Sequence, residues 1–508
     1  MKKLSSFFAL FLFLAGLIFA ESYKIDGTSF NIKGAGFKFL GKTREYAILT
    51  AYPVDTKTVF QDENLLNDYL ADYKTKLESS RAFESVEIGY ETVLSQDQEN
   101  PYTSIILKFD IQDSHHLLAL PYGKYSSNSG LSLKLKAKDT NFLGSLNTMS
   151  TDLNLKFSDE GIAPGLTFSY DHPFKLFAFD AVWVNEHSVS YTIGDTSPEW
   201  DLKTGLKFTL PFEKLSLVFE FYQYAFRNFD YASYGDDTYF KEAFAFSLPI
   251  NLYKFKNYTY LVYSPGISYN FNWDFDGINI NNEYFTTHVL TASHSLSNEN
   301  IVWADFFRSG YSFTLANSFI YNIQRNDISP YLAFEGKLFL NYQLHDQDYW
   351  DRYGITMDLY AFTYIDLPSN SYNYGNEIGD RLRGILDKNF FGNEYPEYTA
   401  SSAIVLNLDL PHKVFTTNFK KDLINFNFQF APFFDMALVY NRKTNNLFSF
   451  KEGYYCTGLE ILVFPLKWSS YTVRASFGLD LASALKRNNL LEALSYDKEI
   501  YIGIGLQY

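Results

Sequence analysis

Cysteine is almost missing from this chain of 508 residues: there is one, Cys456. That excludes a disulfide-stapled scaffold and any cysteine-rich metal centre. Basic residues are in deficit, 43 Lys and Arg against 58 Asp and Glu, giving a formal net charge of -15. The chain lacks the basic footprint that nucleic acid demands, so no nucleic-acid partner is expected. Long apolar runs are also lacking. Beyond the first twenty residues, no stretch approaches the roughly 18 apolar residues of a membrane-crossing helix. The mean hydropathy of -0.18 agrees. Aromatics are what the chain has in excess: 50 Phe, 41 Tyr and 6 Trp, 19% of all residues. With 46% hydrophobic residues the chain is too apolar to be disordered. Rich in rings yet polar on average, it has the composition of a chain that alternates apolar and polar positions.

Residues 1–20 read as a removable export signal. Lys2 and Lys3 precede an apolar stretch from Phe7 to Phe19, and Ala20 supplies a small residue at a cut before Glu21. Ile18 is larger than the residue usual three places before a cut, which allows the site to move by a few residues. The stretch is short for a spanning anchor. Losing the two lysines makes the product still more acidic. An exported chain without a spanning helix is either soluble or a β-barrel.

Residues 21–115 read as a small α/β domain. Leu66, Leu70, Tyr73 and Leu77 share one face of a helix running from about Asp62, whose acidic start suits the helix dipole. Val86, Ile88 and Tyr90 alternate in the strand that follows, and Ile105, Leu107, Phe109 and Ile111 alternate in the next. A one-sided sheet covered by a helix fits this pattern. Its edge could accept an extended peptide, or the module could be a plain spacer. Residues 116–129 read as a linker.

From Gly130 to the end, short alternating segments recur. Leu131, Leu133 and Leu135 oppose Ser132, Lys134 and Lys136. Leu206, Phe208 and Leu210 oppose Lys207 and Thr209. Val473, Ala475, Phe477 and Leu479 oppose Arg474, Ser476, Gly478 and Asp480. A period of two gives each strand one apolar and one polar face. A soluble sandwich alternates too, but three features favour a membrane barrel. Charged residues sit mid-strand on the polar face, aromatics recur near segment ends, and the last segment runs to Tyr508. The expected fold is therefore mainly β: a transmembrane antiparallel barrel over 130–508, preceded by the small α/β domain. About seventeen candidate segments are visible. Chain length and the even-number habit of such barrels set the expectation at about sixteen strands, with one candidate spurious. A long loop is expected over 367–398.

Signs of catalysis are missing. There is no G-x-S-x-G elbow, P-loop or H-E-x-x-H. His115 and His116 have no ligand partners at metal spacing, and Cys456 has no evident base, so an inert thiol is expected. Asp346, Asp348, His345 and Asp351 cluster where a divalent ion could bind, though a solvated acidic loop is the commoner reading of such a group. No enzyme activity, cofactor or metal is expected.

Three motifs remain. "GDRLRGI" spans Gly379 to Ile385 inside the long loop. "APFFDMALVY", Ala431 to Tyr440, carries Asp435. Five alternating segments follow the loop. In order and spacing these resemble the outer-membrane assembly factors typified by BamA, TamA and the two-partner secretion transporters. "LESSRAFESVEIGYE" resembles the end of one POTRA module, and Lys138 to Phe157 resembles the family's first hairpin. Ala437 stands where the family has glycine, Ile385 where it has an aromatic, and Asn407, with Asp409 beside it, where it tends to have Glu.

The resemblance implies a loop that folds back into the lumen, with Arg383 and Gly384 as its tip. Residue parity independently points Asp435 inward if the period holds across Pro432. An Arg383–Asp435 pair would pin the loop, with Asn407 and Asp409 as further lumen partners. The resemblance also implies a barrel seam that opens laterally between the first strand, carrying Leu131, Leu133 and Leu135, and the last, carrying Gly503, Gly505 and Tyr508. Glycines there weaken strand packing. The implied function is assembly or insertion of other barrel proteins in the outer membrane of a diderm bacterium. The small domain would be in the periplasm. The implied partners are unfolded outer-membrane proteins, outer-membrane lipid, and periplasmic chaperones or accessory lipoproteins. Secretion of a dedicated exoprotein and a porin-like surface antigen are the alternatives.

Overall fold

The computed structural model describes residues 29–80, 82–93, 102–126, 130–158, 161–195, 197–227, 238–255, 259–274, 288–324, 326–343, 352–365, 378–385, 400–419, 425–441, 445–468, 471–485 and 498–504. The export signal, the acidic group around Asp346, Gly505, Tyr508 and most of the long loop lie outside them. The chain forms two compact units. One takes in the chain up to Lys38, Val54–Lys74 and Glu87–Asp110, and the other takes in the remainder.

The small sheet consists of β1 (Ser29–Leu40), β2 (Val59–Phe60), β3 (Phe83–Val93) and β4 (Tyr102–Asp113), with helices α1 (Glu45–Ala51) and α2 (Glu63–Ser79) between them in sequence. The spatial order is β2-β1-β4-β3, so β3 forms one edge. Leu66, Leu70, Tyr73 and Leu77 of α2 are buried, as the helical spacing predicts, and so are Ile105, Leu107, Phe109 and Ile111 of β4. Tyr73 packs on Phe109 with ring centroids 5.7 Å apart. β1, α1 and β2 were not anticipated.

The barrel begins with β5 (Leu117–Ser126), β6 (Gly130–Asp139), β7 (Met149–Ser158), β8 (Gly161–Tyr170), β9 (His172–Leu176), β10 (Phe179–Ser190), β11 (Glu199–Pro211) and β12 (Ser216–Arg227). It continues with β13 (Thr238–Ser247), β14 (Ile250–Lys254), β15 (Tyr260–Trp273), β16 (His288–Ala304), β17 (Phe307–Asn322), β18 (Asp327–Gln343) and β19 (Arg352–Tyr364). After the long loop come β20 (Ser402–Asp409), β21 (His412–Thr416), β22 (Phe426–Asn441), β23 (Asn446–Leu447), β24 (Tyr454–Pro465), β25 (Val473–Asp480) and β26 (Lys498–Ile504).

These strands close into an antiparallel barrel of 18 staves. Three staves are split into collinear pieces: β8 and β9 at Asp171, β13 and β14 at Leu248–Pro249, β20 and β21 at Leu410–Pro411. β23 only extends the hairpin on β22. The expectation of about sixteen is thereby corrected. No candidate segment after Gly130 was spurious. The even number is completed instead by β5, which lies in the stretch read as a linker and pairs with β6 from Leu117↔Asp139 to Ser126↔Gly130. An even count is what lets β5 and β26 meet antiparallel.

Period-two alternation sets the two faces of the wall. Leu131, Leu133 and Leu135 of β6 are 41%, 48% and 48% exposed and point outward, like Trp183, Phe221, Phe244, Ile267 and Phe319 on other staves. A band of outward apolar side chains on a closed barrel is a lipid-facing surface. The opposite face of β22 is buried and polar at Asn427, Gln429 and Asp435. Its register against β24 is unbroken through Pro432↔Leu459. Pro432 lies beside the Leu410–Pro411 break in the neighbouring stave, where it interrupts no continuous ladder.

Candidate functional site

The long loop joins β19 to β20, and its tip lies inside the barrel. A 3-10 turn, Gly379–Arg381, leads into Leu382, Arg383, Gly384 and Ile385. Ile378, Leu382 and Ile385 are fully buried in an apolar nest formed with Phe362 of β19, Ala403 and Val405 of β20, Ala437 and Val439 of β22, and Cys456 of β24. Two of the positions noted as departures, Ala437 and Ile385, fill this nest. Burying three large aliphatic side chains provides the apolar drive for the tip to enter.

Arg383 is 4% exposed and Asp435 is 0% exposed. The guanidinium grips Asp435 with both arms: Nη2 donates to Oδ1 at 2.6 Å and Nε to Oδ2 at 2.9 Å. The backbone N–H of Arg383 donates to the same Oδ2 at 2.9 Å. Nη2 also reaches Asp409 Oδ1 at 2.6 Å, and Nη1 reaches Glu460 Oε1 at 3.4 Å. The planar ion lies 3.9 Å from the centroid of the Phe433 ring. A planar fork with five donors suits this geometry, which an ammonium could not fill. Asn407 bonds the tip elsewhere: its Nδ2 donates to the carbonyl of Arg381 at 2.6 Å.

Gly384 is required by close approach. Its φ is +112°, and a Cβ there would lie 2.6 Å from the backbone N of Leu479. Facing it, Gly478 of β25 would place a Cβ 2.6 Å from Gly384 Cα. Two glycines let loop backbone lie directly on stave backbone. The Gly384 N–H donates to Glu499 Oε2 of β26 at 2.8 Å.

Several participants were not singled out for this site. Glu460 completes the carboxylate set and also accepts from Arg474 Nη1 at 3.2 Å. Arg381 bonds Glu335 of β18 at 3.3 Å, lies 3.5 Å from Asp358 of β19 and stacks 4.0 Å over Tyr360. A charged residue on the inward parity of a stave was the available signal for Glu335, Asp358 and Glu460. Their convergence depends on inter-stave register, which one stave's sequence does not contain. The tip thus touches β18, β19, β20, β22, β24, β25 and β26, a continuous arc ending at the seam.

The seam differs from its expected position. Leu131, Leu133 and Leu135 lie on β6, one stave in from it, because β5 comes first. Among the described residues, β26 meets β5 only at Tyr501↔Ser126 and Ile502↔Tyr125. On its other side β26 pairs with β25 continuously from Val473↔Ile504 to Leu479↔Lys498, with Gly503 opposite Arg474. Tyr501 lies under Lys124 Nζ at 5.6 Å and under Arg474 Cζ at 4.1 Å, one cation from each flanking stave.

His116 Nδ1 lies 2.6 Å from Asp139 Oδ1, and Cys456 is buried. Among the described residues no group of His, Cys, Asp and Glu is arranged to hold a metal ion.

The fold is shared with CdiB from Acinetobacter baumannii, with a TM-score of 0.50 at 11% identity over 93% of this chain and 73% of that one. CdiB from Escherichia coli matches with a TM-score of 0.45 at 10% identity, over 90% and 73%. A BamA from Haemophilus ducreyi lacking POTRA domains 1–3 matches with a TM-score of 0.40 at 13% identity, over 94% and 84%. No protein-family model matches the sequence, and no curated protein does.

Proposed function

We propose that the chain is an outer-membrane barrel of the BamA and two-partner-transporter kind, which inserts or translocates other β-barrel proteins. The observation that carries this reading is the loop tip. Arg383 is held by three buried carboxylates, and the same tip contacts β26, the stave that closes the barrel against β5. In this reading the closure between β26 and β5 is where the wall parts. A parted seam exposes backbone donors and acceptors of β5 and β26 to a client strand, which adds by β-augmentation. Folding of the client supplies the driving force.

In this reading the small sheet is a POTRA-like periplasmic module, and β3 is the edge that accepts extended client segments. Clients are unfolded outer-membrane proteins, delivered by periplasmic chaperones or accessory lipoproteins. A dedicated secretion role is the second reading, favoured by the fold shared with CdiB at a TM-score of 0.50. Depletion separates them. Broad loss of outer-membrane barrels supports assembly, and loss of a single exoprotein supports secretion. Loss of small-solute uptake alone would refute both in favour of a porin.

A further inference from the structure

The lipid-facing wall carries a row of hydrogen-bonding side chains where apolar ones are expected. Asn185 of β10, Thr204 of β11, Gln223 of β12 and Glu242 of β13 are consecutive register partners. They share the outward parity of Trp183, Leu206, Phe221 and Phe244, the next outward residue on each stave. Trp183 Nε1 donates to Thr204 Oγ1 at 3.0 Å, which donates to Asn185 Oδ1 at 3.1 Å. Gln223 Nε2 donates to Glu242 Oε1 at 3.0 Å, and Trp273 Nε1 reaches the same oxygen at 3.3 Å.

The row lies inside the apolar band and not at its border. Thr204 is four residues from the outward Trp200, about 13 Å along the strand and, at a tilt of about 40°, about 10 Å in depth. Leu202 separates them, and Leu206, Phe208 and Leu210 continue outward-facing on the other side. Polar groups in this band are unfavourable in a depth-dependent way. Satisfying two indole N–H groups needs only one acceptor each and leaves the exposed Gln223 amide unexplained.

Below the row the wall is grooved. Phe221 stands as a ridge between two apolar channels. One is walled by Phe174, Trp183 and Leu206 and opens on Thr204 and Gln223. The other is walled by Phe208, Phe219, Phe244, Phe246 and Ile267. Apolar grooves of this kind fit hydrocarbon chains, and Thr204 and Gln223 of the polar row border the first of them.

We propose that this wall is a selective lipid site. Two acyl chains lie either side of Phe221, and the row bonds a hydroxyl or amide that the lipid carries on a chain a few carbons below its headgroup. The Gln223 carbonyl accepts that donor while its amide group stays on Glu242. The inference rests on the barrel being lipid-embedded and stands independently of the assembly role.

The test uses the full chain in nanodiscs of dimyristoyl phosphatidylethanolamine. These are doped with the β-hydroxymyristoyl analogue of the same lipid or with lipid A, whose chains are β-hydroxylated and partly amide-linked. Lipid retained on extracted protein is read by native mass spectrometry. Both hydroxylated probes should be enriched roughly tenfold over the plain lipid. Enrichment should be lost in Gln223→Leu/Glu242→Leu and reduced in Thr204→Val, with heat-modifiable gel mobility of the folded barrel unchanged. Equal retention of the plain and hydroxylated lipids overturns the proposal, as does enrichment that survives the double variant. Retention of lipid A without the hydroxymyristoyl lipid assigns recognition to the headgroup and also overturns it. Disulfide-linked dimers through Phe221→Cys would place a second copy on this wall instead and overturn it equally.

Discussion

Truncating Arg383 to alanine is the sharpest probe of the loop tip. Removing one partner of a buried ion pair typically costs about 3–5 kcal/mol, because the other charge is left buried and unpaired. In this site Asp435 and Asp409 lose their guanidinium, while Glu460 keeps Arg474 at 3.2 Å. The loss should therefore fall in the usual range, about 4 kcal/mol, despite three carboxylates facing the arginine. Asp435→Ala removes the acceptor of three Arg383 hydrogen bonds and should cost about 3 kcal/mol. With both gone, no buried charge of that pair remains orphaned. The double variant should then fall short of the sum by at least about 2 kcal/mol. Arg383→Lys keeps the charge but cannot reach Asp435 and Asp409 as a fork, and should recover less than half of the alanine loss. Guanidinium unfolding of the reconstituted barrel, followed by tryptophan fluorescence and heat-modifiable mobility, measures all four. Single losses that add to within about 0.5 kcal/mol would refute a coupled lock.

Three further outcomes follow from the same geometry. Gly478→Ala drives a methyl to within 2.6 Å of Gly384 Cα, so the tip should lift from β25. Trypsin should then cut at Arg381 or Arg383 in intact barrels, and it should not in the parent. Tyr125→Cys with Ile502→Cys places thiols on register partners about 4.5–5.5 Å apart, within disulfide reach. Oxidation should close the seam and stop client assembly, and reduction should restore it; assembly undiminished by a complete cross-link would remove the seam from the mechanism. Glu499→Ala cuts the bond from Gly384 N–H to β26 and should speed thiol cross-linking at that seam pair at least severalfold without loosening Arg383. An unchanged rate would mean that loop and seam move independently.

How much of this could be read in the sequence differs from one element to another. Period-two alternation made the staves after Gly130 visible, because a lipid-facing side and a wet side impose it residue by residue. β5 escaped for the same reason. Leu117 to Leu120 run apolar without alternation, and Pro121 and Gly123 then suggest a spacer, so nothing in the stretch marks a strand until β6 pairs with it. That single omission displaced the seam by one stave. Asp435 was legible because parity alone decides which face it takes. Asp409 was legible on the same ground. Glu460, Arg474, Asp358 and Glu335 occupy inward positions too, but their meeting at the tip depends on how each stave is staggered against the next. Stagger is a property of neighbouring pairs and of barrel closure, which no single segment encodes.

The lock and the seam are joined by chemistry and not only by proximity. From β5 inward, Lys124 lies over Tyr501 of β26, Arg474 of β25 also stacks against Tyr501, and Arg474 bonds Glu460 of β24, which Arg383 reaches in turn. Two guanidinium groups thus share three carboxylates, Asp409, Asp435 and Glu460, inside the wall. If the tip withdrew, Arg474 would be the remaining cation facing Glu460, and the carboxylates left behind would draw on it. Its hold on Tyr501 would compete with that demand. Cation–aromatic contacts are worth about 0.5–2 kcal/mol, whereas an unpaired buried carboxylate costs more, so the competition favours Glu460. Withdrawal of the tip should therefore weaken the packing at Tyr501, a position where β26 is registered with β5. A loop residue packed on the inner wall acquires leverage over the seam through a single arginine shared between Glu460 and Tyr501.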